Sequence, residues 1–79
     1  MLEQELRREI EKWSQRLEEA LSSTEALDEK GRELLENARA YGRDHRHFLG
    51  RGDLVKSFEC LVWAWALLEV GVELGHLRR

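Results

Sequence analysis

The chain has no proline, one cysteine, one tyrosine and six glycines in 79 residues. Without proline, and with so few glycines, a loop-rich or β design lacks its turn chemistry, and long helices are the expected product. A lone cysteine excludes an intramolecular disulfide, and no charged-then-apolar leader opens the chain, so a protein of the reducing cytoplasm is expected. The longest apolar run, Cys60 to Leu68, is bounded by Glu59 and Glu69 and falls well short of the roughly 20 residues a membrane span needs. Gly-rich phosphate loops, paired carboxylates in a recognisable context and nucleophile elbows are lacking too, so neither an enzyme nor a cofactor is expected.

What is present is leucine, tryptophan and charge. Fourteen Leu, three Trp and two Phe are enough to fill a core, but a chain this short forms one domain whose burial is often completed by a partner. The net charge of −3 conceals a gradient. Met1 to Asn37 holds eleven acids and six bases, Ala38 to Lys56 two acids and five bases, and Ser57 to Arg79 three and two.

Apolar residues recur at helical spacing in three segments of this single domain, about residues 3–21, 25–49 and 53–75. In the first, Leu6, Ile10, Trp13, Leu17 and Ala20 form one seam; Ser22 followed by Glu25 has the spacing of a capping box for the second helix. The second carries Leu27, Gly31, Leu34, Ala38, Tyr41, His45 and Phe48, and its small members Gly31, Ala38 and Gly42 suggest a bulky neighbour such as a Trp. Gly50-Arg51-Gly52 should end it, and Asp53 should cap the third. Short turns between three amphipathic helices give an all-α, up-and-down three-helix bundle.

The third helix carries two apolar seams on nearly opposite sides. Leu54, Phe58, Leu61, Trp65, Leu68, Val72 and Gly75 form one, and Cys60, Trp63, Leu67, Val70, Leu74 and Leu77 the other, while Ser57, Ala64 and Gly71 make a row of small side chains that lets a neighbouring backbone come close. A helix apolar on both sides needs packing on both sides. The second seam is the candidate interface, with a homodimer joined through helix three expected first and a groove for another protein next. Spacing alone leaves open which seam faces the bundle.

Few residues point to chemistry. His45 and His47 project about 200° apart on a helix and cannot share a metal, so His45, on the buried seam, reads as a hydrogen-bonded core or interfacial residue and no metal is expected. Cys60 has no neighbouring base to lower its pKa and reads as packing. Arg32, Arg39, Arg43 and Arg46 make a basic stripe that Arg51 extends. Such a stripe could hold nucleic-acid phosphates, but an acidic chain without an exposed aromatic platform favours a solvated face paired with the acids of helix one.

The run Glu36-Asn37-Ala38-Arg39-Ala40-Tyr41, then Asp44, Phe48, Gly52-Asp53, Phe58-Glu59, Ala64, Trp65, Leu68, Gly71 and Leu74-Gly75 resembles a small archaeal family known as domain of unknown function 357. The resemblance covers the second half of the chain. It implies a short up-and-down three-helix bundle and brings no activity, cofactor or catalytic residue with it. Ser57 stands where the family pattern has Ala, and Glu69 where it has Asp.

Overall fold

The computed structural model describes all residues, Met1–Arg79, and places three helices in antiparallel succession: α1 (Leu2–Ser23), α2 (Glu29–Gly50) and α3 (Leu54–Glu73). Two residues on each side add a short antiparallel ribbon, β1 (Glu25–Ala26) with β2 (Leu77–Arg78), in which Glu25 faces Arg78 and Ala26 faces Leu77. The three-helix bundle matches expectation; the ribbon does not. No helix is long and apolar enough to cross a membrane.

The ribbon moves the start of α2. The Ser22–Glu25 capping box does not form, because Glu25 and Ala26 pair with the far end of the chain and the nearby hydroxyls turn back onto α1. Ser22 Oγ donates to the Glu18 carbonyl (3.0 Å) and Thr24 Oγ1 to that of Ala20 (2.5 Å). Asp28 caps α2 instead, its Oδ1 accepting from the Gly31 N–H at 2.8 Å. Leu27, expected on the helix seam, precedes the helix and is exposed.

Both later helices stop by the same device. After α2, Gly52 takes φ +78, its N–H donates to Leu49 and that of Asp53 to Phe48; after α3, Gly75 takes φ +83, its N–H donates to Val72 and that of His76 to Gly71. This is the Schellman arrangement, which needs a left-handed residue just beyond the helix. Asp53 then also caps α3 through Lys56 N. Gly75, placed by periodicity inside the third helix, is therefore the residue that ends it.

The core is built from Ile10 and Leu17 of α1, Leu34, Leu35 and Ala38 of α2, Leu54, Leu61, Ala64 and Leu68 of α3, and Leu77 of β2, in the strap that folds back after α3. On α3 the buried line is Leu54, Ser57, Leu61, Ala64, Leu68 and Gly71, so the bundle centres on the row of small side chains, between the two apolar seams. Small residues bring α2 and α3 close, and a Cβ on Gly71 would strike the Leu77 side chain. No Trp faces Gly31 or Gly42 of α2: Gly31 admits the His76 carbonyl, and Gly42 faces Leu17 and Leu21.

Candidate interaction site

At the centre of the bundle one side chain from each helix meets. His45 is fully buried; its Nδ1 lies 2.9 Å from Ser57 Oγ and its Nε2 2.6 Å from Ser14 Oγ. Ser57 uses its own hydrogen on the His45 carbonyl oxygen (3.0 Å), so its oxygen accepts from Nδ1–H. Nε2 is then left to accept from the Ser14 hydroxyl. Every polar atom is satisfied by a neutral ring, and burial, followed by the Arg46 charge, pushes the His45 pKa down, with Glu18 opposing. The expected core histidine is present as such, and with both ring nitrogens engaged it is a structural tie.

Cys60 is buried, and desolvation followed by the charges of Asp44 and Glu59 raises its thiol pKa. A thiol held protonated in this way is a poor nucleophile. No group of three His, Cys, Asp or Glu side chains converges as a metal site would require.

Arg39, Arg43 and Arg46 of the basic stripe line one wall of an open groove of about 700 Å³, and Glu18 and Glu19 of α1 line the other. Arg46 pairs with Glu18 at 3.8 Å, and Arg32 with Glu29 at 2.8 Å further up α2. Arg51 lies apart, in the turn after α2. The five arginines thus do not form one continuous cationic track.

The outward face of α3 leaves a group of large apolar side chains in solvent. Val55 is 66% exposed, Val62 50%, Trp63 56% and Leu74 66%, with Phe58 and Val70 also exposed. Trp63 is propped against Tyr41, the rings stacked 6.2 Å apart at 18°, so its large apolar surface is held in place. On the other edge Trp13 meets Trp65 edge-on at 5.8 Å, and with Phe58, Leu61 and Val62 they line a shallow, wholly apolar hollow of about 270 Å³.

The expected interface is therefore corrected in part. Trp63, Val70 and Leu74 are exposed and Leu67 half-buried, but Cys60 and Leu77 lie inside the protomer. Cys60 flanks the small-residue row that faces α2, and Leu77 lies beyond the helix end, folded back over Gly71. Val55 and Val62 belong to neither seam, and Phe58 belongs to the first, not to the candidate interface. The row Ser57, Ala64 and Gly71 carries the signal for all three: if it marks the closest approach, residues well over 100° away around the helix point outward.

The fold and its exposed surfaces define a small antiparallel three-helix bundle, closed by a C-terminal strap, whose conspicuous feature is a face rather than a cleft. The chain belongs to the DUF357 family, described as proteins of unknown function, whose family model matches residues 12–77. That match begins within α1 and so extends beyond the half of the chain that carried the resemblance. A crystal structure of a DUF357 protein from Archaeoglobus fulgidus is 51% identical and superimposes with a TM-score of 0.90, over 100% of this chain and 99% of that one. No curated protein matches the chain.

Proposed function

We propose that this protein is a non-catalytic assembly module that pairs with a second copy of itself through the outward face of α3. The observation that carries the reading is the exposure of Val55, Phe58, Val62, Trp63, Val70 and Leu74 along one helix. Covering a side chain of this kind is worth about 1.5 to 3 kcal/mol, and a cluster of exposed apolar side chains on a small chain, even with Glu59, Glu69 and Glu73 among them, marks an interaction surface. Arg39 and Arg43, which face the carboxylates of Glu18 and Glu19 across their groove, act on this reading as solvated side chains. Nucleic-acid binding, the alternative, would fall steeply with salt; little is expected even at low salt.

The test is the solution mass by light scattering over a dilution series. The native chain should be dimeric at high concentration, and both Trp63→Ser and Val62→Glu should shift it to monomer while circular dichroism stays helical. A native chain that remains monomeric at its highest soluble concentration would remove the reading.

A further inference from the structure

We infer that α1 is a hinged cover: it swings open about Thr24 as one unit while α2, α3 and the strap stay folded, and His45 is the latch that lets acid open it. Of its 22 residues α1 buries only Ile10 and Leu17, whereas α2 buries six residues and α3 seven. Its fit is also looser. A Cβ added to Gly42, beneath α1, would meet Leu17 and Leu21 at 3.6 and 3.7 Å, ordinary contact distances, while one added to Gly71 would strike Leu77. Segments with few buried apolar contacts are the ones that open below the global unfolding free energy.

The hinge follows from where the hydrogen bonds go. Thr24 takes an extended φ of −90 and ψ of 133 between α1 and β1, and the Ser22, Ser23 and Thr24 hydroxyls all donate back to carbonyls of α1. The ties to the strap lie beyond that point: Glu25 and Ala26 pair with Arg78 and Leu77, the Leu27 N–H donates to the His76 carbonyl, and Asp28 pairs with His76. Departure of α1 therefore leaves the ribbon unbroken.

Two polar links hold α1 down, and they end on adjacent residues of α2: the Ser14 hydroxyl donates to His45 Nε2 at 2.6 Å, and Glu18 pairs with Arg46 at 3.8 Å. In the closed state the ring faces Ser14 from α1 and Ser57 from α3, and the charges that reach it are those of Arg46 and Glu18. Burial, the largest influence, keeps it neutral. Opening takes Ser14 away and admits water, so the ring can be charged; Glu18, which favours the cation, leaves too but counts for less. The open state then binds the extra proton, and acid shifts the balance towards it. At pH 5.5, one unit below the ordinary 6.5, that uptake favours opening by about tenfold.

Hydrogen exchange read by mass spectrometry, with rates expressed as protection factors at pH 7.5 and 5.5, tests cover and latch together. In the native chain the amides of α1 between Ile10 and Leu17, away from the fraying end, should be protected roughly tenfold less than the best protected amides of α2 and α3. At pH 5.5 their protection should fall by about tenfold more. His45→Phe should remove that pH step. Gly31→Ala, which disturbs the strap in the closed and open forms alike, should lower protection in α2 and α3 and leave α1 unchanged. Equal protection in all three helices, or a loss in α1 matching theirs in Gly31→Ala, would mean that the bundle opens only as a whole and would overturn the cover. A less protected α1 with the same protection at both pH values would overturn the latch. Both points are decided on the native chain, whatever the stability of the variants.

Discussion

At the scale of the residue, His45 has a role that periodicity could suggest but not complete. Its place on an apolar seam was legible; its partners were not, because Ser14 lies 31 positions away and Ser57 12, and no local rule connects them. The consequence is a pH dependence with a definite sign. The folded chain holds the ring neutral, its pKa below the ordinary 6.5, whereas the unfolded chain takes up a proton near that value. Between the folded and unfolded pKa the unfolded state binds more protons, so stability rises with pH there. The full contribution is present above about 6.5 and drains away as pH falls. Thermal melts should therefore show a lower Tm at pH 5.5 than at pH 7.5. In His45→Phe that slope should flatten, while the stranded serine hydroxyls lower stability at both pH values by about 1–3 kcal/mol. A native Tm that is flat across the window would mean that the site accepts a proton. Asp28 acts in a separate, more acidic window: the His76 ring, then the Gly31 N–H, hold its carboxyl pKa below 3.8, so its contribution is lost only as pH drops below that.

At the scale of the element, glycine separates what local propensity explains from what packing explains. Gly31 sits in the first turn of α2, where alanine would ordinarily stabilise by up to about 1 kcal/mol. Here an added Cβ would collide with the His76 carbonyl oxygen, which accepts the Leu27 N–H at 3.0 Å. Gly31→Ala is expected to destabilise by about 1–3 kcal/mol, with hydrogen exchange accelerated in the β1–β2 ribbon. Gly50, at the end of the same helix, faces open space, so Gly50→Ala should be neutral or slightly stabilising in the same chemical denaturation series. Equal effects at the two positions would argue that the strap does not hold α2. The helices themselves were legible because their apolar residues recur at 3 and 4. Their ends were less so: Gly52 was recognised as a stop, whereas Gly75, with the same geometry, was absorbed into the period of α3. A Gly on an apolar seam reads as a small packing residue until the chain beyond it is seen to turn.

At the scale of the whole molecule, few residues are shielded, and stability and assembly become coupled. If the outward face of α3 is covered only in a dimer, unfolding releases two chains and Tm must climb with protein concentration. Calorimetry over a hundredfold range should show that rise in the native chain and its loss in Trp63→Ser; a concentration-independent native Tm would place the chain as a stable monomer. The sequence by itself determined the all-α class, the three helices, their antiparallel order and the surplus of apolar surface on the third, because each follows from near-neighbour spacing and from the absence of proline. Only the tertiary structure decided which part of that surplus faces inward. The small row of Ser57, Ala64 and Gly71 lets α2 approach most closely there, burying Cys60 beside it and turning Val55, Val62 and Trp63 to solvent. It also decided where α2 begins, since the ribbon joining Glu25–Ala26 to Leu77–Arg78 closes over some fifty residues. A contact of that span depends on the folded path of the intervening chain, which short-range patterns do not encode.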